Sequence, residues 1–135
     1  MTRAQRPARR ADRGSAAVEF ALGVPVLVGL LALIVQLGLW AIGDFAARSA
    51  ANHALQTTRV VGGTLAAGHD AAAAVLANNG GWFIVDPTIT VTRTPTTTTV
   101  TIRGHARPII PTSVLPGAQP VITITVQAPT ERTTQ

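Results

Sequence analysis

Residues 20–43 form an uninterrupted run of 24 uncharged residues, and the only amide among them is Gln36. As a helix rising 1.5 Å per residue, the run extends about 36 Å, enough to cross a hydrocarbon core of about 30 Å with some tilt. The pattern predicts one membrane-spanning helix. Phe20 lies near one edge of the run, and Trp40 and Phe45 lie where the aromatic belt of the other interface forms. Asp44 and Arg48 return the chain to water. Beyond them, residues 44–61 are rich in alanine and free of proline, so helix continues until Gly62-Gly63 stops it. Counted from Ser15, the whole helix is 47 residues, which corresponds to about 70 Å. Its polar face beyond the span carries Arg48, Asn52, His53, Gln56 and Arg59. A second, short helix is expected from His69-Asp70 through Ala77, ended by Asn78-Asn79-Gly80-Gly81.

The period then changes to two. Ile89 and Val91 alternate with threonine, Pro95 and its threonine neighbours make a turn, and Val100 and Ile102 resume the apolar face on a return strand. After a proline-punctuated connection, Ile122, Ile124 and Val126 repeat the alternation. Trp82-Phe83-Ile84-Val85, closed by Asp86-Pro87, reads as a further short strand. The fold class is therefore α+β: a long N-terminal helix, a short second helix and a small antiparallel sheet of three to four strands. One face of that sheet is apolar and needs a cover, for which the alanine-rich helix is the available partner. The threonine cluster, nine of the 14 residues in 88–101, fits the outer face of a hairpin better than a glycosylated stalk, because the alternation with Ile and Val is regular.

Charge orients this plan. The chain has 135 residues, a net charge of +5 and no lysine, so every basic residue is arginine. Five of them (Arg3, Arg6, Arg9, Arg10 and Arg13) precede residue 14, with Asp12 as the only acid there. The positive-inside rule places residues 1–14 in the cytoplasm and the C-terminal bulk outside. A pI near 11.8 points toward nucleic acid only until the charge is located. The basic segment is short, has no interleaved aromatics, and is a topology signal. Cysteine is absent, which removes disulfides, thiol catalysis and cysteine-ligated metal. His53, His69 and His105 are scattered, no serine sits in a nucleophile elbow, and no glycine-rich phosphate loop follows a strand. No catalytic residue, metal, cofactor or small-molecule substrate is expected.

One constellation stands apart, the segment Arg13-Gly14-Ser15-Ala16-Ala17-Val18-Glu19-Phe20 at the cytoplasmic mouth of the span. A carboxylate in a membrane helix is costly, by about 2.5–3.5 kcal/mol at the centre and less near the interface. Glu19 could interact with the positive end of the helix, but a capping box with Ser15 would need the acid at position 18, which is Val18. Pro25 lacks an amide proton, leaving the Ala21 carbonyl without its helical donor and favouring a kink. Ala17, Ala21 and Pro25 also set small residues at a spacing of four, which permits close helix approach.

Gly-Ser-Ala-Ala-Val-Glu-Phe, followed by an apolar run with an early proline, resembles the TadE-like proteins of tight-adherence (Flp-type) pilus systems. These are minor pilins or pseudopilins related in plan to type IV pilins. The resemblance is specific from Arg13 to about Arg59 and looser in the strand-rich remainder. It implies cleavage between Gly14 and Ser15 by a prepilin peptidase. Glu19 and Phe20 then become the fifth and sixth residues of the mature chain, the positions that matter in the family. The organisation it implies is a basic cytoplasmic leader (1–14), a transmembrane helix (15–43), an exported α+β head (44–128) and a polar tail (129–135). The implied partners are the peptidase, other pilins or pseudopilins, the pilus assembly platform and membrane lipid. The implied location is the cytoplasmic membrane, in one pass, with possible incorporation into an extracellular pilus. Two other readings remain open at this point. One is an unprocessed, membrane-anchored structural or receptor protein, and the other is a secreted domain released after Gly43.

Overall fold

The computed structural model describes residues 11–131. Arg3, Arg6, Arg9 and Arg10 of the expected topology signal lie outside the described residues. The chain divides into two compact units, Met1–Ile34 and Val35–Gln135. The first helix, α1 (Ala11–Arg59), begins four residues before the expected Ser15 and ends two residues before Val61. It is continuous through Pro25. It is also the one helix, among the described residues, long and apolar enough to cross a membrane by length and composition.

In the first unit the described side chains from Gly14 onward are exposed except Ala32, which is partly covered. In the second unit the helix acquires a buried stripe of small residues: Ala46, Ala47, Ala50, Ala51 and Ala54. Spacings of three and four put these on one side. Methyl-sized side chains let a helix approach a sheet closely, and a Cβ built on the adjoining Gly43 would lie 3.1 Å from Ile122 Cδ1. The expected polar positions Arg48, Asn52, His53 and Gln56 are exposed on the opposite side.

At the end of α1, Gly62 takes a positive φ of 83° and the Gly63 N–H donates to the Val60 carbonyl at 3.0 Å. Arg93 reaches across to donate to the carbonyls of Gly63 and Val60, so a cation sits at the carbonyl-rich end of the helix. The second helix, α2 (Leu65–Val75), starts earlier than the sequence pattern implied. Its cap is Thr64, whose Oγ1 accepts from the Ala67 N–H at 3.1 Å. Asp70 is instead exposed within the helix, 3.6 Å from the exposed His69. A single π-helical turn, Leu76–Gly80, follows.

The sheet is antiparallel with three strands, β1 (Ile84–Arg93), β2 (Thr97–Ala106) and β3 (Val121–Pro129), in the order β1-β2-β3. Register places Ile89 opposite Ile102 and Ile102 opposite Ile124; Val91, Val100 and Val126 form the next row. Thr90, Thr101 and Thr125 line the other face, where the last two hydroxyls lie 3.2 Å apart. The apolar rows and the alanine stripe of α1 form one core with Leu76, Ala72 and Ile84.

Trp82–Val85 is not a fourth strand. Trp82 and Phe83 form a turn, and Ile84 and Val85 begin β1, which continues through Asp86-Pro87 by a break in register between Val85 and Thr88. Proline is tolerated there because β1 is an edge strand and the irregularity removes the need for its missing N–H. Asp86 adopts a positive φ of 50° at this point. Gly104 lies opposite, where a Cβ would stand 2.5 Å from Ile84 Cγ2 and 3.2 Å from the Val85 carbonyl oxygen. Gly104→Ala is therefore expected to destabilise the protein by about 1–3 kcal/mol, since Cγ2 sits on the branched Cβ of the buried Ile84 and neither it nor the Val85 carbonyl can yield without moving the strand. A shift in the urea midpoint of the bilayer-reconstituted protein measures it.

Candidate assembly surface on the apolar helix

Ser15, Glu19, Phe20 and Pro25 all lie on α1 and all are exposed. Phe20 retains 73% of its accessible surface. Glu19 and Phe20 share a shallow groove with Ala16, Gly23, Val24 and Leu27, residues set one turn apart along the helix. Ala17, Ala21 and Pro25 form a line at a spacing of four. Among the described residues, Glu19 has no ion-pair partner within its own chain. Gly14 lies within α1, and a Cβ added there would meet nothing within 4 Å. Arg13 is also within α1. The structure thus brings the motif residues together on one helix and leaves those from Gly14 to Phe20 exposed.

The residue with the most specific contacts was visible in the sequence only as a lone amide. Gln36 is completely buried. Its Nε2 donates to the Arg107 carbonyl at 3.2 Å, while its Oε1 accepts from the N–H groups of Ile109 at 2.7 Å and Ile110 at 3.3 Å. The signal was its cost: a polar group in an otherwise apolar helix requires a partner. Trp40, assigned to an aromatic belt, is half-buried and packs against the core, while Phe45 is exposed. Among the described residues, no three His, Asp or Glu side chains gather where a metal ion could be held. His53, His69 and His105 are exposed and lie on three different elements.

These features describe a small α+β head carried on one apolar helix that fits a membrane anchor. Residues 14–57 match the model of a protein family described as TadE-like protein, as the Gly14–Phe20 motif implied. The match runs along α1 and stops before α2 and the sheet. TadE-like proteins are structural components of pili, and the likeness of this chain to them extends over residues 14–57 of its 135. No curated protein and no solved structure matches the chain.

Proposed function

We propose that this protein is a pseudopilin or minor pilin that supports assembly of a tight-adherence pilus through association of its membrane helix, without catalysis of its own. The observation that carries this reading is the exposed apolar surface of α1, bearing the Glu19 carboxylate, which has no ion-pair partner among the described residues. In this reading the basic leader lies in the cytoplasm, the head is exported, and a prepilin peptidase cuts between Gly14 and Ser15. Cleavage removes the segment that holds five arginines and one acid, which otherwise opposes extraction of the helix from the cytoplasmic face. It also creates an α-amine at Ser15 with a reference pKa of about 7.7–8.0. In a bundle of such helices, the Glu19 carboxylate of one subunit meets the Ser15 ammonium of the next. Pairing offsets part of two desolvation costs, whereas a wrong register leaves both groups unpaired. The partners are the peptidase, other pilins or pseudopilins, the assembly platform and the surrounding lipid.

The intact mass and N-terminal sequence of the membrane-extracted protein test the processing step. A chain beginning at Ser15 is expected. One beginning at Met1 or Thr2 indicates an unprocessed anchor, and one beginning at Asp44 a released domain. Glu19→Ala is expected to leave membrane insertion intact and to reduce piliation severely, counted by electron microscopy. Normal piliation in cells producing only this variant would sink the pairing mechanism.

A further inference from the structure

The head has two chemically different ends. β2 and the second-unit part of α1 both run its length. Gln36 sits by the loop that follows Ala106, while the Arg59 carbonyl accepts from the Glu131 N–H at 2.9 Å beside the turn that precedes Thr97. The far end carries Arg59, Arg93, Glu131 and the threonines of the 94–97 turn. The near end, where α1 enters the head, is built differently.

There, Gln36 holds residues 107–110, and Arg107 ties that loop to the turn before β1. The Arg107 N–H donates to the Phe83 carbonyl at 2.9 Å, and its Nε donates to the Trp82 carbonyl. The Arg107 guanidinium carbon lies 5.5 Å from the centre of the Trp82 ring, and Trp82 and Phe83 meet edge to face at 5.3 Å. Beside the exposed Thr112 and Ser113, this end turns apolar and amphipathic side chains outward. Trp82 is 55% exposed, Ile109 49% and Val114 73%, and Leu115 is partly exposed beside them in sequence. Across residues 107–120 the only charge is Arg107. Prolines 108, 111 and 116 stiffen the loop, so these side chains cannot simply fold inward.

We propose that this end of the head, Trp82 with the 107–115 loop, seats on the outer leaflet of the bilayer at the boundary of headgroups and acyl chains. The proposal rests on reading α1 as the membrane span with the head outside. Continuity of the chain argues for lipid as the occupant, because the exposed apolar stretch of α1 leads directly into Gln36. Ser15 to Val35 is 21 residues, which as helix covers about 31 Å, the thickness of a hydrocarbon core. The next residues therefore enter the interface, where Leu37 and Ile42 are exposed before the Asp44–Arg48 ion pair and Phe45 is exposed between its two members. Composition argues for it as well: a tryptophan, an arginine and apolar side chains without an acid match the headgroup layer, where rings and guanidinium groups keep one side wet. A water-facing patch of the same side chains is unfavourable.

The chain has no cysteine, so single cysteines give unique labelling sites. Val28→Cys, Thr96→Cys and Val114→Cys, each carrying a nitroxide, are placed in the full-length protein in nanodiscs of phosphatidylcholine and phosphatidylglycerol. Power-saturation EPR compares access to oxygen, which enters lipid, with access to a water-soluble nickel chelate. The label at 28 is expected to be lipid-exposed, that at 96 water-exposed, and that at 114 to show an oxygen-to-nickel ratio several-fold above the one at 96. Leu115→Cys provides a second reading of the loop. If 114 and 115 match 96 while 28 stays in lipid, the head stands off the membrane and the proposal fails alone. If 28 is open to nickel, the span itself is wrong and both readings fall. Protection of 114 from both reagents, varying with protein-to-lipid ratio, assigns the patch to a second copy and also overturns the proposal.

Discussion

Replacing Gly68 with alanine is expected to lower the stability of the head by about 2 kcal/mol, although alanine is the better helix former. Gly68 is buried in α2 where that helix meets α1. A Cβ there would lie 1.9 Å from Thr58 Oγ1, 3.3 Å from Thr58 Cβ and 3.2 Å from the Ala54 carbonyl oxygen. Thr58 is itself fully buried, and its hydroxyl donates to the same Ala54 carbonyl at 2.8 Å. Relief requires either that the hydroxyl swing away, breaking a buried hydrogen bond, or that α2 lift off α1. Overpacking of this kind costs about 1–3 kcal/mol and a buried unsatisfied hydroxyl a further 1–3 kcal/mol, against a helix-propensity gain of about 1 kcal/mol. Urea unfolding in nanodiscs, followed by tryptophan fluorescence, measures the balance. Thr58→Ala removes the nearest atom, so the double variant is expected to be less destabilised than the sum of the two single changes. Strict additivity would show that the two helices do not press on each other at this point.

Gly68 also marks where reading the sequence stops. The period-two alternation of Ile89, Val91, Val100, Ile102, Ile122 and Ile124 was enough to give the sheet and its apolar face, because side-chain period and burial are tied in a strand. The uncharged run gave the helix, and Gly62-Gly63 gave its end. What escaped were features set by distant partners. Asp86-Pro87 looked like a terminator, since proline ordinarily ends a strand; only the edge position and Gly104 across the ladder make it an interruption instead. Thr64 caps α2 ahead of the expected His69-Asp70 start, and a threonine before an alanine-rich run carries the cap signal. For the candidate site, Glu19, Phe20 and Pro25 could be placed on one helix from spacing alone. Their exposure could not, because an apolar helix reads the same whether its cover is lipid, its own head or a neighbouring subunit.

Gln36→Leu separates those possibilities at one position. For a helix simply immersed in lipid, exchanging an amide for leucine is favourable, and membrane insertion is expected to be unchanged or improved. For the head, the same change removes an acceptor from the N–H groups of Ile109 and Ile110 and a donor from the Arg107 carbonyl, beneath a completely buried side chain. A buried polar group left without a partner costs about 1–3 kcal/mol, and these groups are only part-buried, so a loss of about 2–4 kcal/mol is expected. The loop that follows Ala106 is the segment released. Protease cleavage within 107–116 is expected to rise by one to two orders of magnitude, the population ratio that corresponds to about 1.4–2.8 kcal/mol of local opening at about 1.4 kcal/mol per factor of ten. Gln36→Met, which keeps the side-chain length but cannot make the bonds, is expected to behave like leucine. Equal cleavage rates in the two variants and the parent protein would mean that the amide is a passenger. Enhanced cleavage with normal insertion would instead identify Gln36 as the residue at which an apolar helix stops answering to lipid and starts answering to its own head.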